Sequence, residues 1–395
     1  MRIAVVTPLF PFSDEPHRAG AIYKTVVALQ RHAEVQAICP IALYPAWSTF
    51  ALRHGIFQGD LNYSPPDIPT TYFVYPAFPL LSRPWNGAVC ARRLYPHLAK
   101  MRPDVVLNYW LYPEGYASLQ VAHSLGIPVI VGARGSDVRR IEEPITRMKV
   151  AKTLRDADYV LTVSEELRRH ALRLGASENR SRAILNGCDP GVFQRDRRDS
   201  FRLQLGIAET DRVVLYVGRL SRVKGLLEVI QAFAALAHED PRLRLVCVGE
   251  GSFGNEMISR ARAVGMEDRM QMPGNLSPEE VARWMTAADL FCFPSYSEGC
   301  PNVLIEAISA GCPVVASDVG GIPELVTADC GILVPPRNKA RLATALREAL
   351  ARVWDHHAIG SVFSRTWDDV AEETYEICKL VAGTSQPAKA RKAQA

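Results

Sequence analysis

A chain of 395 residues is longer than one hydrophobic core normally serves and implies two domains. Its 48% hydrophobic and 22% charged content is that of a globular protein, and a net charge of +4 is too small to mark a nucleic-acid binder. No apolar run approaches the roughly 18 residues that span a bilayer, and the run Ile3 to Val6, stopped by Pro8, is a first strand and not a signal h-region. The nine Cys are scattered and form no C-x-x-C pair. Several sit in apolar runs as small hydrophobes, which points to a reducing compartment and hence the cytoplasm. Residues 1–199 hold about 25 Lys+Arg against about 18 Asp+Glu. That basic half suits an anionic lipid surface or an acidic acceptor, but charge patterning favours an ordinary solvated surface.

In chain order, short continuous apolar runs alternate with longer helical patterns. The predicted strands of the first half are Arg2–Val6, Glu34–Cys39, Thr71–Tyr75, Asp104–Asn108, Pro128–Gly132 and Tyr159–Val163. Those of the second half are Arg212–Val217, Arg244–Val248, Leu290–Phe293, Pro313–Ala316 and Gly331–Val334. Runs without alternation belong to strands buried on both faces, so the expected fold class is α/β, with doubly wound parallel sheets built from right-handed βαβ units. The turn-rich, charged stretch Asn186–Asp199 reads as a linker between two such sheets. The expected domains are 1–190 and 191–363. A helix over about 364–382 is expected to pack back on the first, ahead of a disordered tail 383–395. In the predicted helix Trp367–Val381, Val370, Thr374, Ile377 and Leu380 recur at helical spacing. Leu154–Ser164 (LRDADYVLTVS) and Met285–Ser295 (MTAADLFCFPS) echo each other, as a duplicated unit would.

Four loops carry chemistry. After the first strand, Phe12–Thr25 holds Gly20, which suits close approach of backbone to phosphate but is weak as a lone glycine. Gly132–Val138 (GARGSDV) sets Arg134, Ser136 and Asp137 at a strand's carboxyl edge; Asp137 reads either as a substrate contact or as a cap of the next helix. In Val214–Leu227 (VLYVGRLSRVKGLL) a strand runs into Arg219 and Lys224 beside a helix start, which concentrates positive potential. Pro294–Pro323 has a loop with Glu298 and Gly299, then a helix beginning near Pro301. The backbone N–H groups of Asn302 and Val303 there form an anion site, and Glu298 and Glu306 offer carboxylates to sugar and ribose hydroxyls. No P-loop, HExxH or zinc spacing occurs. The D-x-D at Asp156–Asp158 runs into a buried strand, so Asp158 reads as structural and no metal or other cofactor is expected.

The chain resembles the retaining glycosyltransferases of family 4, with the GT-B architecture of two Rossmann-like domains facing a cleft. The resemblance rests on SEGCPNVLIEAISAGCPVVASDVGGIPE, YVGRLSRVKG, Gly249–Gly251 (GEG) and Asn186–Phe193 (NGCDPGVF). The layout of Tyr109–Ser118 (YWLYPEGYAS) is similar to bacterial teichuronic-acid and exopolysaccharide transferases. The resemblance implies that Arg219 and Lys224 hold the diphosphate of a nucleotide-sugar donor, UDP- or GDP-linked. It also implies that Glu298 contacts the donor sugar, that Glu306 contacts the ribose and that Gly20 faces the phosphates. Many relatives carry His where this chain has Arg134, and a guanidinium cannot shuttle a proton. The implied role of Arg134 is to orient the sugar or the leaving phosphate. The implied acceptor is a glycan or lipid-linked hydroxyl in cell-surface glycan synthesis, with peripheral contact to the inner membrane face. A nucleotide-sugar epimerase of the same fold and a non-catalytic donor-binding subunit are the alternatives.

Overall fold

The computed structural model describes residues 1–13, 15, 18–44, 59–77, 83–139, 141, 143–193 and 195–393, with 190, 195 and 385–393 described by backbone alone. Residues 14, 16 and 17 of the Phe12–Thr25 loop, residue 194 of the Asn186–Asp199 stretch and residues 394–395 of the tail lie outside the described residues. The chain divides into two compact units, Met1–Asn186 with Trp367–Ala395, and Gly187–Thr366.

In unit one the apolar runs become β1 (Arg2–Val6), β2 (Glu34–Leu43), β3 (Thr70–Pro76), β4 (Val105–Tyr109), β5 (Val129–Ala133), β6 (Tyr159–Thr162) and β7 (Ser181–Ala183). They form one sheet in the order β3-β2-β1-β4-β5-β6-β7, with parallel pairing throughout. Every residue of β4 and β5 is buried, as strands covered on both faces must be. Helix Gly20–Leu29 covers one face, and the last helix, Trp367–Ala393, packs beside it. The last helix inserts Trp367, Val370, Ala371, Ile377, Cys378 and Val381 into the sheet's core. It carries Leu380 on its exposed side, which corrects the expected apolar stripe. The last helix runs into the segment expected to be disordered, as far as Ala393. Helices Arg83–Met101, Tyr116–Ser124 and Pro144–Asp156 touch one another, and right-handed crossovers place them on the opposite face.

Unit two has β8 (Arg212–Val217), β9 (Leu243–Val248), β10 (Met270–Gly274), β11 (Leu290–Phe293), β12 (Val314–Ser317) and β13 (Gly331–Val334) in the order β10-β9-β8-β11-β12-β13. This sheet is also parallel throughout. The edge strands β7 and β10 escape the apolar-run criterion: β7 is three residues long and no residue of β10 is buried. The stretch Asn186–Asp199 holds the short turns Pro190–Val192 and Arg195–Arg197 and the start of helix Arg198–Gln204. The nine cysteines are free, and all but Cys300 are buried.

Candidate active site

The unit-two sheet reverses direction between β8 and β11. The chain leaves β8 toward β9 on one side and leaves β11 toward β12 on the other. Loops leaving adjacent strands in opposite directions open a crevice at the carboxyl ends, where open α/β sheets bind ligands. Lys224 lies on the loop after β8 and Glu298 on the loop after β11.

The two loops are locked together by backbone. Gly225, at φ 71°, lies so close to the second loop that a Cβ there would stand 2.1 Å from the Pro294 carbonyl oxygen. Only glycine fits both the dihedral and the space. The Val223 carbonyl accepts from the Tyr296 N–H at 3.0 Å and from Ser295 Oγ at 3.5 Å. Tyr296 Oη donates to the Glu228 carboxylate at 2.7 Å, and burial, helped by Glu228, pushes its pKa up to about 12. On the other flank, a Cβ on Gly249 would meet the Gly218 carbonyl oxygen at 2.2 Å, and one on Gly251 would meet that of Leu220 at the same distance. The GEG motif is therefore a packing requirement of the β8 loop.

Within this frame Lys224 Nζ donates to Glu298 Oε1 at 2.5 Å, with side-chain exposures of 24% and 13%. The ammonium also lies 5.5 Å above the Phe293 ring, which stacks between Tyr216 at 6.2 Å and Phe291 at 6.0 Å. An aromatic floor under a half-buried cation lowers the local dielectric and strengthens its field. Burial first, and the Glu298 carboxylate among the smaller causes, raise the Tyr216 pKa far above the usual range. Helix Asn302–Ser309 begins just beyond. Its N-cap, Pro301, supplies no side-chain cap. The N–H groups of Asn302 and Val303 belong to the first turn, which has no intrahelical acceptors. Glu306 is one turn further on, four residues from Asn302 and on the same side of the helix. The Gly299 carbonyl accepts from the Gly321 N–H at 3.1 Å, which ties the loop to the GGIP segment. Arg219 stands exposed at the end of β8, held by its carbonyl, which accepts from Tyr216 Oη at 3.0 Å. Its guanidinium makes no ion pair with a described residue, so the structure brings Lys224 and Glu298 together and leaves Arg219 outside that pair.

In unit one, Arg134 leaves β5 with its guanidinium 5.5 Å above the Tyr109 ring. Tyr109 and Gly132 are register partners on β4 and β5, and a Cβ on Gly132 would meet Tyr109 Cδ1 at 2.5 Å. The glycine makes room for the ring that supports Arg134. Asp137 is buried, and its carboxylate accepts from the N–H groups of Arg134 (3.0 Å) and Gly135 (2.8 Å). Both lie before it in sequence, so Asp137 pins the preceding turn instead of capping the following helix. Burial raises its pKa, and those backbone donors pull the other way. Gly20 opens helix Gly20–Leu29 behind Ala19, which takes the left-handed φ of 54°. No atom of a described residue lies within 4 Å of where a Gly20 Cβ would stand, so the described packing does not demand glycine there. Arg134 lines a cavity with Thr25, Tyr109, Thr162, Asn186 and Thr374. Sequence reading missed Tyr109 and Asn186: the first looks like one aromatic of a YW pair, and the second was absorbed into the linker.

The family model described as Glycosyltransferase Family 4 matches residues 25–192, and that described as Glycosyl transferases group 1 matches residues 197–359. The two glycosyltransferase models together take in most of the chain, which is thus a glycosyltransferase with a group 1 domain over residues 197–359. This glycosyltransferase is 28% identical to a Bacillus subtilis protein named as a teichuronic acid biosynthesis glycosyltransferase, over 99% of this chain and 97% of that one. It is 29% identical to a D-inositol 3-phosphate glycosyltransferase of Nocardiopsis dassonvillei over 69% of each chain. The structure of Anabaena Alr3699/HepE in complex with UDP superposes with a TM-score of 0.69 at 19% identity, covering 100% of both chains. The fold of the glycosyltransferase is thus GT-B. Its strongest motifs lie within residues 197–359, where Lys224 and Glu298 meet.

Proposed function

We propose that this glycosyltransferase moves a sugar from a UDP- or GDP-linked donor, with retention at the anomeric carbon, to a hydroxyl of a polysaccharide or lipid-linked acceptor. The observation that carries the reading is the Lys224–Glu298 pair at the unit-two switch point, one loop away from an uncapped helix start. Lys224, Arg219 and the N–H groups of Asn302 and Val303 receive the diphosphate; Glu298 accepts from donor-sugar hydroxyls and Glu306 from the ribose. In unit one the same reading gives Arg134 a substrate-facing role and Asp137 a positioning role. The acceptor draws support from the teichuronic-acid name of the full-length relative, and a UDP-linked donor from the UDP in the HepE complex.

In the reaction the anomeric C–O bond to the diphosphate breaks, and its electron pair stays on the departing oxygen. The acceptor oxygen forms the new bond on the same face of the sugar and gives its proton to the leaving phosphate. Charge therefore grows on the diphosphate, where fixed cations and N–H dipoles lower the barrier without reorganising. These groups supply the neutralising charge, so the reading includes neither a metal nor another cofactor.

A thermal-shift screen of nucleotide-sugars tests the donor, because a ligand at 100 times its Kd stabilises the folded state by about 2.7 kcal/mol. Release of free nucleoside diphosphate only on addition of acceptor supports transfer. Conversion of the donor without acceptor indicates an epimerase, and binding with no turnover indicates a non-catalytic subunit. Turnover is expected to persist in EDTA; a strict Mg²⁺ requirement refutes the metal-free reading.

A further inference from the structure

Unit one has a switch point of its own. The chain leaves β1 toward β2 and leaves β4 toward β5, so a second crevice opens at the carboxyl ends of β1 and β4. Asn108, buried on β4, holds the two ends in place. Its side-chain amide donates to the Val6 carbonyl at 3.0 Å and to Ser118 Oγ at 3.3 Å, which ties both strands to helix Tyr116–Ser124. Trp110 is the first residue beyond β4, and it takes φ 105° and ψ 109°. A bulky residue at positive φ is strained, and such strain persists only where the surroundings over-determine it.

Here they do so through the backbone. The Trp110 N–H donates to the Gly132 carbonyl at 3.1 Å, and the Trp110 carbonyl accepts from the Gly115 N–H at 3.0 Å across the turn Leu111–Gly115. A Cβ on Gly115 would stand 2.9 Å from Asn108 Oδ1 and 3.0 Å from the Trp110 carbonyl oxygen, so glycine is what lets the turn close. In an unbroken strand Trp110 would follow Asn108 onto the face that helix Tyr116–Ser124 covers. The turn prevents this, and the ring stays half-buried. The aromatic rings around it are already occupied: Arg134 lies over Tyr109, and Lys149 lies over Tyr112 and Tyr116. No ring or cation of a described residue lies on Trp110, and its indole N–H has no acceptor among the described residues.

We propose that Trp110 is a carbohydrate platform at the unit-one switch point. A pyranose ring of the acceptor glycan stacks its C–H face on the indole, and the indole N–H donates to one of its hydroxyls. A rigid ring with a polar tip suits a ligand that is apolar on its face and polar at its rim. A diphosphate calls instead for cations, and those assigned to it, Lys224 and Arg219, belong to unit two. The proposal rests on the reading of the chain as a transferase to a glycan acceptor, and it adds to that reading the residue that holds the glycan.

The test is nuclear magnetic resonance of the full chain, labelled at the indole nitrogens of its six tryptophans. Trp110→Phe identifies the Trp110 signal by its loss. Titration with methyl β-D-galactopyranoside, whose C–H groups cluster on one face, should move that signal saturably. The signal of Trp85, which is 61% exposed, should stay in place. Saturation transfer from the protein to the ring C–H protons of the pyranoside should persist in Trp110→Phe and fall about ten-fold in Trp110→Gly. The wild-type titration stands whether or not the glycine variant folds. An unmoved Trp110 signal, an equal shift at Trp85, a larger shift with uridine than with the pyranoside, or undiminished transfer in Trp110→Gly overturns the proposal. The donor is read separately, by the rise in melting temperature that UDP-glucose gives. A rise without pyranoside binding sinks the platform alone; pyranoside binding at Trp110 without a rise supports the platform and sinks the donor assignment alone.

Discussion

Replacing Glu114 by glutamine should flatten the pH dependence of unit-one stability. Glu114 lies in the single turn Leu111–Gly115 that follows β4 and is 3% exposed. Its Oε1 accepts from Tyr75 Oη at 2.9 Å, while Oε2 has no hydrogen-bond partner among the described residues. The titratable groups facing it are Tyr75, Cys90, Tyr44 and Tyr112, with Arg83 the cation nearby. Burial is the largest influence and pushes the pKa from an ordinary 4.5 up to about 7; the Tyr75 O–H and the residue's own backbone N–H oppose it. A raised pKa means that the folded state favours the protonated acid. The stabilisation is therefore complete below about pH 4.5 and is lost as pH rises through about 7. At 1.36 kcal/mol per pH unit the interval amounts to about 3 kcal/mol. For a unit of roughly 200 residues that is on the order of 6–12 °C in melting temperature. Melting curves of wild type and Glu114→Gln, recorded between pH 5 and pH 8.5, measure it. The wild type should lose stability toward the alkaline end by that margin relative to the variant. Parallel pH profiles for the two proteins would refute the reasoning, since the acid would then be charged in its pocket at no cost.

Lys224→Ala should lower kcat by on the order of 100-fold, about 3 kcal/mol of lost charge stabilisation, with the circular dichroism spectrum unchanged; wild-type turnover would remove Lys224 from the diphosphate site. Gly225→Ala places a Cβ 2.1 Å from the Pro294 carbonyl oxygen at a left-handed φ. It should cost about 2–4 kcal/mol and lower the melting temperature of unit two by roughly 5–10 °C, read by calorimetry. A neutral result there would mean that the two loops separate easily and that the Lys224–Glu298 contact is not held by their clasp.

The sheet was legible because its central strands are apolar on both faces, and β1, β8, β11 and β13 have the bounds their runs predict. The criterion that finds such strands registers burial, and it therefore fails at a sheet edge: Met270–Gly274 is half-solvated and contains Pro273, while Ser181–Ala183 pairs with β6 through three residues. The residues proposed for the donor site, Lys224 and Glu298 among them, were legible because glycine and proline frame them. What the sequence did not show is why Glu298 meets Lys224. Nothing in the spacing of residues 224 and 298 says that β8 and β11 are neighbours, which depends on the crossover order. Nor did it show the use made of Asp137, because a carboxylate that reaches back to Arg134 and Gly135 has the same local sequence as one that caps forward.

The echo between Leu154–Ser164 and Met285–Ser295 has a physical cause other than the one its letters suggest. Asp158 stands just before β6, and its N–H donates to the Val129 carbonyl while its Oδ2 accepts from the Val129 N–H at 2.8 Å. Asp289 stands just before β11 and makes the same reciprocal pair with Val213, its Oδ2 accepting at 2.7 Å. Both carboxylates thus satisfy an N–H at or next to the start of the neighbouring parallel strand, Val129 being the first residue of β5 and Val213 the second of β8. Yet β6 is not the counterpart of β11. In its sheet β11 lies directly beside the first strand, β8, and the unit-one strand in that place is β4, beside β1. Before β4 stands Asp104, whose N–H donates to the Arg2 carbonyl and whose Oδ2 accepts from the Arg2 N–H at 2.7 Å. The topological partner of MTAADLFCF is therefore MRPDVVLNY, which shares little with it beyond the aspartate. The resemblance that the letters show joins non-equivalent strands. What recurs in both units is a way of starting a parallel strand, in which an aspartate exchanges a reciprocal pair of hydrogen bonds with the backbone at the start of its neighbour.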